Sequence, residues 1–214
     1  VYELRLLDAR YKTLLDFVAI FDETLLCVEN KNASSAHRVG AAILAMKVAV
    51  DFGRADHLDA MYERVSPLLR DIDVGERDRL ELEMIYRTMR GDNAVPTDDL
   101  SRFADVARLT GGELAYSRAL YTAADACRFS ARYQEGLGFL SKALEHAVSN
   151  RLHSRHAEIL LATVRFNIAA RAFDKAREVL KGIDERLLPS GNFKETNEIH
   201  YHDATIALEG GDTR

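Results

Sequence analysis

Apolar residues recur every three or four positions along almost the whole chain, which is the period of an α-helix and not the alternation of a strand. The first stretch spans residues 3–29, with Leu4, Leu7, Tyr11, Leu14, Leu15, Val18, Phe21, Leu25 and Val28 on one face. Asn30 to Asn32 interrupt it, Ser34 or Ser35 can cap the next helix, and the run from Ala41 to Ala49 carries that helix to Phe52. Gly53 and Asp56 then set up a partner built on Leu58, Met61, Tyr62, Val65, Leu68 and Leu69, which Pro67 should kink or shorten. The same reading predicts helices over 77–90, 98–110, 114–129, 133–148, 157–170, 173–187 and 194–208. Turn chemistry separates them, most visibly at Pro96 and at Pro189-Ser190-Gly191-Asn192. The pattern predicts helices throughout and no strand.

The helices come in pairs. Gly53, Val95, Ala131, Arg171 and Gly211 each close one helix, at intervals of 42, 36, 40 and 40 residues. A period of this size marks a stacked helical repeat, in which one pair cannot bury its apolar face until a neighbour covers it. Small and large residues recur at fixed offsets around these turns: Ala124, Gly136, Leu140 and Ala143 in one repeat, Val164, Ala176, Leu180 and Ile183 in the next. Small side chains let helices approach and large ones fill the groove between pairs. The expected organisation is a single domain over 1–214, with an N-terminal helix (1–34), helix pairs at 35–76, 77–112, 113–152 and 153–192, and the first helix of a truncated repeat at 193–214. The pattern is already running at Val1 and stops at Gly-Gly-Asp-Thr-Arg, as expected of a piece of a longer polypeptide.

Composition narrows the function classes. The chain has 214 residues, 47% hydrophobic and 29% charged, enough to bury a sizeable core. With 29 basic and 34 acidic side chains its net charge of -5 gives no basic surface for nucleic acid. No apolar run reaches the length of a membrane span, and charges thread the first twenty residues, so a cytoplasmic protein without a signal peptide is expected. Cys27 and Cys127 fall inside helical patterns and read as buried thiols.

The segments Ala131-Arg132-Tyr133-Gln134-Glu135-Gly136, with Leu140 and Ala143, and Arg171-Ala172-Phe173-Asp174-Lys175-Ala176, with Leu180, resemble the opening of the second helix of a tetratricopeptide repeat. Ala207-Leu208-Glu209-Gly210-Gly211-Asp212 resembles a further repeat junction. A period near 40 in place of 34 resembles the long-repeat sensor and docking regions of large bacterial transcriptional regulators. The resemblance implies an all-α fold, a right-handed antiparallel helix-pair superhelix (a tetratricopeptide-like α/α solenoid), in which the first helix of each pair lines the concave surface. It places Lys47, Arg118, Tyr121, Asp125, Arg128, Glu158 and Arg165 on that surface.

Arg118, Tyr121, Asp125 and Arg128 share one helix face, and arginines beside an aromatic can hold an acidic or C-terminal carboxylate segment. The same stripe also reads as a solvated face tied by internal ion pairs. Histidines do not assemble a metal site: His153 and His156 lack two further converging ligands, and His200 and His202 diverge on a helix. No phosphate loop, nucleophile elbow or Cys/His pair is present, so no catalytic residue and no cofactor is expected. Phe17, Phe21, Phe103, Phe129, Phe139, Phe166 and Phe173 fall on apolar faces and read as core. The expected role is a non-catalytic protein-binding or signal-sensing scaffold, with a protein or peptide, or another domain of the same polypeptide, as partner. An oligomerisation or interdomain spacer and a small-molecule effector domain are the alternatives.

Overall fold

The computed structural model describes residues 17–51, 56–90, 95–183 and 193–210, and every regular element among them is helical. There are nine α-helices and one 3-10 helix: α1 Phe17–Glu29, α2 Ser35–Asp51, α3 Asp56–Val65, the 3-10 turn Ser66–Arg70, α4 Glu76–Arg90, α5 Thr97–Phe129, α6 Tyr133–Ser149, α7 His153–Ala169, α8 Phe173–Lys181 and α9 Phe193–Glu209. The expected helical stretch over 3–16, the turns at Gly53 and Gly211 and the linker at Pro189 lie outside the described residues. The chain divides into two compact units, Val1–Asp99 and Leu100–Arg214.

In the first unit α2 is the central element. Its alanines at 41, 42 and 45 and its Val48 are fully buried, packed with Ile20 and Val28 of α1, Leu58 of α3 and Leu82 of α4. Ser34 Oγ accepts the His37 N–H at 3.2 Å, and Asp73 Oδ2 accepts the Ala36 N–H at 3.2 Å, so a distant turn helps to cap α2. Pro67 acts as expected: α3 stops at Val65 and the chain continues as a 3-10 turn with proline in its opening residues. Where α3 faces α4, the rings of Tyr62 and Tyr86 stack at 3.8 Å, and Asp59 accepts hydrogen bonds from Tyr86 (3.0 Å) and Arg90 (2.6 Å). The hydrogen bond from Arg90, then that from Tyr86, hold the Asp59 carboxyl below its ordinary value of 3.8. A depressed carboxylate contributes stability that is present above its unfolded value and lost as pH falls through the folded one. Asp59→Asn is therefore expected to lower the melting temperature slightly at neutral pH and to flatten the acid limb of a thermal-denaturation profile, the two proteins converging below about pH 4.

In the second unit the turns repeat with a shorter period than the sequence reading used. Ala131, Arg151 and Arg171 all have φ near +55° (55, 55 and 57), twenty residues apart. Each closes a helix the same way. Arg132 N–H reaches Cys127 O (2.8 Å), Leu152 N–H reaches Ala147 O (2.8 Å) and Ala172 N–H reaches Asn167 O (2.8 Å), the long bond of a Schellman motif. The connection between pairs at Arg151 is thus built like the connections within pairs at Ala131 and Arg171. A left-handed residue with a Cβ is strained by roughly 1–2 kcal/mol, part of which glycine returns as extra freedom in the unfolded chain. Ala131→Gly is expected to raise stability by about 0.5–1 kcal/mol, read from a denaturant midpoint at unchanged slope.

Three sequence expectations shift, while one break falls where expected: the helices expected over 98–110 and 114–129, consecutive in α5, are separated at Gly112, whose φ of 72° and ψ of -164° leave the helical region that residues with a side chain would hold. Arg108 and Glu113 bridge that break at 3.4 Å, and Glu113 also pairs with His146 of α6. The helix expected from Ala157 begins at His153, because the Leu152 turn leads straight into it. The helix expected to run to 187 ends at Lys181, with Gly182 at its cap. Phe129 is 44% exposed instead of core, since it is the last residue of α5, with the Arg128 guanidinium 4.3 Å from its ring centroid.

Candidate functional site

Three helices of the second unit, the C-terminal half of α5 together with α7 and α9, place polar side chains in one connected cluster. Tyr121 of α5 is its centre. Arg165 of α7 donates a hydrogen bond from Nη2 to the Tyr121 hydroxyl across 44 residues of sequence. Arg155, from the first turn of α7, lays its guanidinium carbon 5.3 Å from the Tyr121 ring centroid and pairs with Glu158 one turn later. From α9, Glu198 Oε1 lies 3.2 Å from Arg165 Nε, and His202 Nε2 lies 3.2 Å from the same oxygen. Asp125, one turn beyond Tyr121, holds Arg128 at 3.2 Å.

Electrostatics tie these groups together more tightly than surface pairs. Burial, reinforced by the negative charges of Asp125 and Glu158, pushes the Tyr121 phenol well above its ordinary range, so it stays neutral and donates or accepts as a hydroxyl. Burial opposes the charge on Arg165, but Tyr121, Glu198 and Asp125 outweigh it and keep the guanidinium ionised. Buried donor capacity is left over. The Nε atom of Arg155, Nδ1 of His202 and the Ser117 hydroxyl have no hydrogen-bond partner among the described residues, although Arg155 is only 8% exposed and His202 5%, while Arg165 Nε meets the Glu198 carboxylate as an ion pair without hydrogen-bond alignment. Such groups ordinarily find a partner when buried.

The sequence-derived surface is thereby sorted. Tyr121 and Arg165 touch; Asp125 and Glu158 act on Tyr121 through charge and each holds an arginine; Arg128 is committed to Asp125. Arg118 is exposed on the same helix, and no described side chain pairs with it. Lys47 belongs to the first unit and pairs there with Glu81, from α2 to α4. Sequence reasoning missed Arg155, Glu198 and His202. Glu198 was reachable, since it stands forty residues after Glu158, which in turn stands forty after Arg118. Arg155 was hidden because the start of α7 was placed too late.

Other chemistry is sparse among the described residues. Among the described residues no three His, Cys, Asp or Glu side chains converge as a metal site, and Cys27 and Cys127 are buried and not joined in a disulfide. Burial pushes the Cys127 thiol up to about 11, which makes it a poor nucleophile. Among the described residues no helix is long and apolar enough to cross a membrane. An open groove of about 560 Å³ lies between α6, α7 and α8, floored by Leu137, Leu160 and Val179 and edged by Lys175 and Glu178. Comparison with protein-family models, with curated proteins and with solved structures finds no match to this chain.

Proposed function

We propose that the chain is a non-catalytic, tetratricopeptide-like scaffold that binds a protein segment on the face formed by the first helices of successive pairs. The observation that carries this reading is the Tyr121 cluster, which links α5, α7 and α9 through side chains while keeping buried donors in reserve. On a two-helix-per-repeat array these three helices occupy equivalent places, so their shared face is a continuous groove wall. Four arginines, at 118, 128, 155 and 165, stand on it against Asp125, Glu158 and Glu198. A near-balanced face of this kind favours a ligand that supplies a carboxylate and accepts aromatic contact over a polyanion. Signal sensing within a larger regulatory protein, including a transcriptional regulator, is the biological setting that the repeat resemblance suggests.

Arg118 is the residue on which the reading turns, since it is exposed and its removal leaves the packing untouched. A peptide library with free or acidic C-termini, screened by fluorescence anisotropy, is expected to yield ligands whose affinity falls about tenfold with Arg118→Ala at unchanged melting temperature. Ligands that bind Arg118→Ala and Arg165→Ala as tightly as the wild type would remove this face as the binding surface.

A further inference from the structure

A second surface lies on α9, away from the Tyr121 cluster. Helices α7 and α9 are both 17 residues long and start forty residues apart, so their positions correspond one to one. In α7 two sides are buried. The side carrying Ala162 and Phe166 corresponds in α9 to His202 and Ile206, which are buried as well. The other side of α7 carries Leu161 (1% exposed), Val164 (0%) and the half-buried Ile168, packed with Ala176, Val179 and Leu180 of α8. Its counterparts in α9 are Tyr201 (66% exposed), Ala204 and Leu208 (76%), all open.

We infer that this open side of α9 is a seat for an amphipathic helix of a partner polypeptide, carrying a small residue flanked by large aliphatic ones and bearing Lys or Arg on its edges. The register follows from the occupied seat: α8 sets Ala176 between Phe173 and Leu180 in the cluster that covers Leu161 and Val164. A small residue is needed opposite Ala204 for backbones to approach, and larger ones fill the spaces beside Tyr201 and Leu208. Charge selects the partner. Residues 200–210 contain no Lys or Arg, and their two acidic residues, Asp203 and Glu209, are exposed, Glu209 lying nearer the apolar strip. Packing a second copy of α9 on this face would set acid against acid, whereas a helix like α8, which exposes Lys175 and Lys181 as well as Asp174 and Glu178, brings basic groups to it.

The chain's own α8 supplies the probe: a labelled, acetylated and amidated peptide of residues 172–183, titrated with the whole 214-residue chain by fluorescence anisotropy. Saturable binding with a Kd of about 10–100 µM is expected, since a short helix must also be ordered on docking. Leu208→Glu, at an exposed position that leaves the fold intact, is expected to weaken it at least tenfold, and a peptide with Leu180→Lys to abolish it. Arg118→Ala leaves it unchanged, which separates this seat from the peptide-binding face above. No saturable binding up to about 1 mM, or equal affinity for Leu208→Glu, as when the peptide merely displaces α8, overturns the inference. So does a dimer, seen by sedimentation, that Leu208→Glu dissolves while the peptide fails to bind.

Discussion

Replacing Gly136 by alanine is expected to destabilise the second unit by about 1–3 kcal/mol, although alanine is the better helix former. A Cβ on Gly136 would overlap Cε1 of Phe166, inside any tolerable contact. Phe166 cannot yield easily, because it is 1% exposed in α7 and its rigid ring has no free space to rotate into. The gain in helix propensity is at most about 1 kcal/mol, so the overlap wins. At this chain length each kcal/mol lowers the melting temperature by roughly 2–4 °C, which thermal denaturation resolves. The check on cause is a double-mutant cycle with Phe166→Leu. That substitution alone should destabilise, but combined with Gly136→Ala it should cost less than the sum, because each change makes room for the other. Strict additivity would mean that the close approach of α6 and α7 is not what Gly136 serves.

Arg165→Ala is expected to cost about 2 kcal/mol and Tyr121→Phe about 1 kcal/mol, each measured by denaturant unfolding. The larger figure follows from what is stranded. Without Arg165, Glu198 loses an arginine at 3.2 Å and the Tyr121 hydroxyl loses its donor. Removing the hydroxyl alone leaves Arg165 with Glu198 and leaves Arg155 over the ring. The Arg165 side chain is 33% exposed, so water offsets part of the loss and the cost stays below that of a fully buried pair. The two changes should couple, the double variant costing less than the sum by several tenths of a kcal/mol or more. Absence of coupling would show that the hydroxyl and the guanidinium do not depend on each other in solution.

Much of this was legible from residue order. Gly136 and Ala176 stood out as small residues at matching offsets, and the reason is now concrete for the first: Phe166 occupies the space a side chain would need. The alternate turns at Ala131 and Arg171 were found, while the equivalent turn at Arg151 was passed over. It carries no glycine or proline to mark it, only an arginine at 151 in the left-handed conformation that residue type alone does not predict. That omission placed the start of α7 at Ala157 and hid Arg155, one of the two arginines on Tyr121. The break at Gly112 is legible as well, because the apolar pattern ends at Thr110 and resumes at Leu114 with two glycines between them.

The sequence by itself determined the all-helical character of the described residues, the forty-residue recurrence and the helix face on which Arg118, Tyr121, Asp125 and Arg128 lie. Each of these depends only on spacing along one chain segment, and the 3.6-residue turn converts spacing into direction. Tertiary structure alone decided the pairings: Tyr121 with Arg165, Glu198 with Arg165 and His202, Lys47 with Glu81 in a different unit, and Arg118 with no described side chain. A hydrogen bond is made or lost within about 1 Å, whereas periodicity places a side chain on a face without fixing how far the neighbouring helix is shifted or rotated. The same gap left open which side of α9 is covered, a matter of what packs against Tyr201, Ala204 and Leu208 and not of their order in the chain.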